Sequence, residues 1–266
     1  VTAPEAAAAG HVDAVPGFPG GTAVSHLRVY DWPTPDGLAG GSPHLHTAST
    51  EGYVVVRGEG ALETLSSAGY TRTALEPGTL LWFTPGTVHR LVNVSGDLEL
   101  LVVMQNAGLP EAGDAVLTYP PDVLGDAAAY ARATAIPAWT EFPDAESAYA
   151  AMAAAARQRR DLAVEGYLRL RDRVRREGPG ALDDLYEAAV GLVRDKAAGW
   201  HHHWERGPHR QAEATRGHIA DLAEGEGAHL HESAVYTADH PPGPARRNGM
   251  CGMLQVWDLD GARPVG

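Results

Sequence analysis

The stretch that decides the fold is "GGSPHLHTASTEGYVVVRGEG", residues 40–60. His44 and His46 are one residue apart, so on a strand both point to one side and Leu45 points to the other. Five residues later Glu51 opens a strand-like run in which Glu51, Tyr53, Val55 and Arg57 share a face. Taken alone, this is either a metal site or a polar turn ahead of an ordinary strand. The later segment "EPGTLLWFTPGTVHRLVNV", residues 76–94, supplies what the first lacks: a strand, a Pro-Gly turn, and His89 on the strand that follows. Three imidazoles and one carboxylate suit a borderline divalent metal and leave one or two coordination positions open.

Working outward, residues 23 to about 106 are rich in short β-type pieces separated by glycine, proline or aspartate. "AVSHLRVYDW", residues 23–32, alternates, with Val24, His26, Arg28, Tyr30 and Trp32 on one face and Leu27 and Val29 on the other. Many short strands with turn signals predict a sandwich or barrel. No helix-period segment interrupts them, which disfavours a βαβ architecture.

These residues resemble the cupins, small barrels of the double-stranded β-helix (jelly-roll) type. The first cupin motif runs His-x-His, three or four residues, Glu, six residues, Gly; His44, His46, Glu51 and Gly58 follow it. The second places a glycine, a proline and a glycine ahead of a histidine and an asparagine; Gly78, Gly86, His89 and Asn93 keep its spacing. The departures are small. Gly40 and Gly41 lie closer to His44 than the motif's first glycine, and the proline stands at 85, where the motif has it at the position of Thr84. Neither removes a ligand atom. The resemblance implies one divalent transition metal (Fe, Mn, Ni or Zn) held by His44, His46, Glu51 and His89.

A barrel of this kind lines its cavity with inward side chains. Parity predicts Tyr53, Val55, Arg57, Leu91 and Asn93 inward, with Trp82, Val102 and Met104 as further candidates of unfixed register. Arg28, Tyr30 and His26 share a face that can reach the cavity mouth. An inward Arg28 or Arg57 would favour a carboxylate or phosphate substrate through its donor fork. The expected function is a metal-dependent enzyme acting on a small organic molecule, first of all a non-heme oxygenase, with Glu51 a ligand that can also take a proton. One alternative is an isomerase, epimerase or lyase acting on a sugar or carbonyl substrate, which needs a separate base, Tyr53 or His26. The other is a non-catalytic small-molecule-binding or regulatory cupin. The 2-oxoglutarate pattern His-x-Asp is absent, because position 46 is histidine.

The remaining sequence sets the surroundings. Residues 1–22 read as an arm, 23–120 as the barrel, and 121–266 as a helical extension that returns a strand at about 253–259. Helices are predicted over 144–176, 181–198 and 208–224 from alanine, leucine and arginine content, the candidate cap Asp144 and the stop Gly178-Pro179. Arg157, Arg160, Arg171 and Arg175 read as a solvated helix face. "GWHHHWERGPHR" and "GAHLHESAVYTADH" are histidine-rich. Consecutive histidines on a helix diverge by about 100° each, so they read as surface or capping residues, with "WHHHW" a candidate lid over the barrel mouth. A net charge of −13 argues against nonspecific nucleic-acid binding. The single cysteine, Cys251, cannot form an internal disulfide. With no apolar run long enough for a membrane span and no leader pattern in "VTAPEAAAAGHVDAVPG", a cytoplasmic protein is expected. A small-molecule substrate and homodimerisation are the expected partnerships.

Overall fold

The computed structural model describes residues 17–265. Nine strands come first: β1 (Ala23–Val29), β2 (His44–His46), β3 (Glu51–Arg57), β4 (Gly60–Ser66), β5 (Gly69–Leu75), β6 (Leu80–Phe83), β7 (Val88–Asn93), β8 (Glu99–Met104) and β9 (Ala115–Leu117). Helices α1 (Pro121–Leu124), α2 (Ala127–Thr134), α3 (Ala145–Glu177), α4 (Asp183–Trp204) and α5 (Arg210–Ala223) follow. Four short strands come last: β10 (Tyr236–Thr237), β11 (Arg247–Asn248), β12 (Gly252–Val256) and β13 (Arg263–Pro264). The barrel is all β. The helices after it make helix the commoner state by residue count, 43% against 26% strand.

Two sheets face one another, one ordered β11-β12-β1-β8-β3-β6 and the other β5-β4-β7-β2-β9, while β10 pairs with β13 apart from them. The alternation read from the sequence places Leu27, Tyr53, Val55, Leu62, Leu91, Leu100 and Val102 in the space between the sheets, where they pack as one buried cluster. β12 lies antiparallel on β1 with Leu27 opposite Leu254, so a late segment forms part of the barrel wall.

The outer face of the second sheet is also apolar, and here the helices matter. Leu45, Leu65 and Val88 point away from the barrel interior and pack with Tyr167, Leu170 and Val174 of α3 and Leu185 and Ala189 of α4. Removing each such side chain from water contributes about 1.5–3 kcal/mol. α3 starts at Asp144, whose side chain accepts from the Ser147 amide at 2.8 Å, and stops at Gly178, whose φ of +86° few other residues adopt. Midway, Gly166 crosses so close to β9 that a Cβ there would run into the Thr118 carbonyl.

The helix-to-sheet seam holds a buried charge network. The Arg90 guanidinium, fully buried, donates to Asp36 at 2.7 Å and to Thr34 at 2.9 Å and stands 3.7 Å from Glu63. Glu63 in turn accepts from Tyr70 at 3.1 Å and Tyr167 at 3.3 Å.

Three expectations need correction. Arg160 is buried; it donates to the carbonyls of Trp32 at 3.0 Å and Pro33 at 2.8 Å, satisfying a loop that would otherwise bury bare acceptors. Arg157 and Arg175 are likewise not merely solvated, since their guanidinium groups lie over the Trp32 and Tyr70 rings at 4.5 and 4.1 Å. Within the expected arm, residues 17–22 are in contact with the helices, Phe18 accepting from Gln211 at 2.7 Å. Residues 1–16 lie outside the described residues.

Candidate metal centre

β2 and β7 are neighbours with His44 directly opposite His89, and the two-residue period of β2 carries His46 to the same inner face. Glu51 opens β3 on the opposite sheet. Their ligand atoms all lie within 4.8 Å of one another, and all four residues are buried. Among the described residues no other group of three or more histidine, cysteine, aspartate or glutamate side chains converges in this way.

Each imidazole is aimed by a bond on its far nitrogen. His44 Nδ1 donates to the Ser42 carbonyl at 2.9 Å, His89 Nδ1 to the Thr87 carbonyl at 3.2 Å, and His46 Nδ1 to Asp114 Oδ2 at 3.2 Å. Those acceptors can only receive a proton, so they fix Nδ1 as the protonated nitrogen and turn Nε2 inward. His46 Nε2 and His89 Nε2 each stand 3.2 Å from Glu51 Oε2. Yet His89 Nε2 and Glu51 Oε2 have no directed hydrogen bond: they point at a shared space more than at each other. Buried polar atoms without partners are costly, and a cation in that space would satisfy them. The donor set fits a divalent metal.

The electrostatics agree. Burial works against charge on His46, but the Asp114 carboxylate bonded to its Nδ1 and the nearby Glu51 carboxylate outweigh it and raise its pKa to about 9, so the pocket favours positive charge at this ring. Burial, then His89 and His46, holds His44 well below its ordinary value and therefore neutral. Burial would raise Glu51, but His89 and His46 outweigh it and keep the carboxylate ionised.

Asp114, which sequence reasoning missed, is fully buried. Besides His46 it accepts from the backbone amides of Thr47 at 2.8 Å, Ala48 at 2.7 Å and Ser49 at 3.1 Å, and from the Thr47 hydroxyl at 2.6 Å. It therefore shapes the whole four-residue link between His46 and Glu51. Cys251 was not singled out as a site residue either; it lies buried in the barrel interior, close enough to Glu51 and Tyr53 to feel both, and burial first of all pushes its thiol pKa up.

The expected pocket residues divide. Tyr53 is completely buried beside Glu51, with its ring edge-on to Phe83 at 5.4 Å. Register fixes Met104 opposite Glu51 and Val102 opposite Tyr53, both on the inner face; Leu91 joins the same interior. Asn93 is inward, but its side chain is spent on the β7–β8 turn, donating to the Val29 carbonyl and accepting from the amides of Gly96 and Leu98. Arg57 turns outward, because the β3–β8 register shifts between Val55 and Arg57 and resets the alternation; it pairs with Asp97 at 3.0 Å. Trp82, opposite Gly52, faces away from the interior and is 69% exposed. His26 and Arg28 lie on the outer face of β1, both paired with Glu99 at 2.7 Å. Tyr30 falls beyond the end of β1, so the alternation does not reach it; it is buried against Trp32 and donates to the Gly249 carbonyl at 3.0 Å.

The sequence of residues 34–104 matches the cupin domain. The chain carries a cupin barrel. Solved structures similar to this chain match it at low identity. An uncharacterized conserved protein with this domain from Klebsiella pneumoniae subsp. pneumoniae MGH 78578 is 22% identical over 33% of this chain and 69% of its own, with a TM-score of 0.25. Oxalate decarboxylase from Bacillus subtilis is 19% identical over 39% of this chain and 27% of its own, at 0.32. The nucleoside dehydratase Pac13 of Streptomyces is 18% identical over 40% and 71%, at 0.28. With TM-scores of 0.25–0.32, these likenesses say nothing of this chain's chemistry. A comparison with curated proteins returned no match.

The C-terminal histidines of this chain are scattered. His201 and His202 are exposed, His203 lies against Gly108, and His218 stacks on His229 at 4.2 Å. Trp200 packs on the loop that carries Asp114, its Nε1 donating to the Ala112 carbonyl at 3.3 Å. "WHHHW" thus braces the loop behind His46. The cleft described below is walled by an earlier part of α4. No helix among the described residues is long and apolar enough to cross a membrane.

Proposed function

We propose that this chain is a divalent-metal-dependent enzyme acting on a small organic molecule, and that its reaction is of the non-heme oxygenase type. The observation that carries this reading is the three-histidine, one-carboxylate cluster with every Nδ1 already committed, set among side chains that offer no free base. His44, His46, His89 and Glu51 would hold the metal, which supplies redox chemistry when bound. The walls around them, Phe83, Met104, Val102 and Leu91, are apolar and shape the space. An isomerase or lyase needs a separate base within reach of the reacting carbon. Of the two candidates, His26 is engaged with Glu99 outside the barrel, and burial, then Glu51, holds the Tyr53 hydroxyl pKa well above its ordinary value.

Elemental analysis of untagged protein should find about one redox-active transition metal per chain. Anaerobic loading with iron(II), followed by air, should give oxygen uptake that depends on added substrate. Full turnover with zinc in the absence of oxygen would overturn the oxygenase reading and leave the metal site standing.

A further inference from the structure

A cleft of about 770 Å³ opens beside the cluster, between the β4–β5 hairpin, β6, the loop 84–87 and α4. That is within the usual range for a small-molecule site. Its floor is one side chain away from the candidate metal centre: Phe83 lines the cleft and lays its ring 4.3 Å from that of His89, while Thr64 is the cross-strand partner of His89. The cleft therefore lies on the side of the barrel that carries the cluster, with Phe83 between them.

No aspartate, glutamate, lysine, arginine or histidine lines it. Apart from the Trp82 indole, its side-chain polar groups are hydroxyls. Those of Ser67, Thr73, Thr84 and Thr87 bond no other protein group among the described residues, whereas Thr47 is committed to Asp114. Its apolar surface comes mainly from Leu45, Leu62, Leu81, Phe83 and Val190, and Trp82, though turned from the barrel interior, lines its edge. A carboxylate or phosphate placed against these walls would meet no charged side chain to offset its lost hydration, so any counter-charge for it would have to come from an ion at the metal centre. The two arginines that might have received an anion, Arg28 and Arg57, are on the outside, bound to Glu99 and Asp97. The net charge of −13 repels anions at longer range as well.

One wall is helical. Val190 and Tyr186 of α4 face the cleft, and the Tyr186 hydroxyl donates to the Gly86 carbonyl at 3.0 Å. The Gly86 amide donates to the His46 carbonyl at 2.9 Å. The helical wall, the loop and the ligand strand are thus joined by two consecutive hydrogen bonds.

We infer that the substrate is an uncharged, hydroxyl-bearing compound with one apolar face, such as a neutral glycoside, and that α4 forms part of its site. This rests on the metal-centre reading for the cleft's relevance to catalysis, though the cleft's chemistry does not depend on a metal. The test is calorimetric titration of the full chain, both metal-loaded and stripped with chelator, using phenyl β-glucoside, its 6-phosphate and phenyl β-glucuronide. The expected result is binding of the neutral glucoside with both anions weaker by about tenfold or more. Val190→Lys, at a largely exposed position, should narrow or reverse that preference by placing a cation on the wall. Equal or tighter binding of either anion to the unaltered protein, or no binding of the neutral compound, overturns the inference. The preference should persist in stripped protein, so a failed metal analysis with the preference intact removes the metal reading alone. A bound metal with anion preference removes only this inference.

Discussion

At the scale of single residues, the site depends on a group that no motif marks. Asp114 stands in "AGDAVL", a context indistinguishable from any loop ahead of a strand. Its importance arises only because β9 pairs with β2 and brings residue 114 behind His46. Asp114→Asn should keep the fold and lower metal affinity by about 10- to 100-fold, measured by competition with a chromophoric chelator. His89→Ala should abolish stoichiometric binding in the same assay. The ligands themselves were legible because their spacing encodes side-chain direction, and parity also placed Tyr53 and Leu91 correctly. Parity failed at Arg57, where a bulge invisible in the sequence reversed the faces. A second residue-scale expectation concerns Asp36. Burial alone would raise its carboxyl, but hydrogen bonds from Arg90 and Thr34 outweigh that and hold it well below the usual carboxylate range. Its stabilisation is therefore complete above the unfolded value of about 4 and drains away as pH falls below it. Urea midpoints should drop through that acid window, and Asp36→Asn should be less stable at pH 7 with a flatter acid limb. An unchanged limb would show that the Arg90 network does not report on folding.

At the scale of elements, strands and helices were legible because their signals are local: period-two alternation, the Asp144 cap, the glycine at 178. What the sequence could not express is where α3 crosses the barrel. Gly166 looks like an ordinary weak point inside a helix, yet it is the contact at which the helix backbone meets the Thr118 carbonyl and the Tyr119 backbone. Gly166→Ala, which raises intrinsic helix propensity, should nonetheless destabilise by about 1–3 kcal/mol through overpacking, seen as a lowered melting temperature. A stabilised variant would mean that the crossing is looser than described. The same crossing explains why the arginines of α3 were misjudged, since a charged run reads as solvated until the loop carbonyls it serves are known. α5 is the opposite case: its apolar residues Ile219 and Leu222 stay exposed, so its amphipathic pattern does not report a buried face.

At the scale of the molecule, the barrel is not a free-standing module. One sheet takes its outer cover from α3 and α4, and the other takes β12 from far along the sequence. A fragment ending at residue 120 exposes Leu45, Leu65 and Val88 and leaves β1 with an open edge. It should aggregate or show no cooperative thermal transition, whereas the full chain melts as a unit; a soluble, cooperative fragment would contradict this. The pairing of β1 with β12 has a consequence for how the protein is made. Leu254 follows Leu27 by 227 residues, and at about 5–20 residues per second a ribosome takes roughly 10–45 s to cover that distance. Throughout that interval β1 waits on the nascent chain without one of its two neighbours. Cys251, which feels Glu51 in the finished barrel, arrives only at the end of the wait. Closure of the wall, and with it the sealing of the cluster from the cytosol or any other milieu, is thus a late event of biosynthesis, and capture of the ion must either precede that closure or pass through the finished cleft.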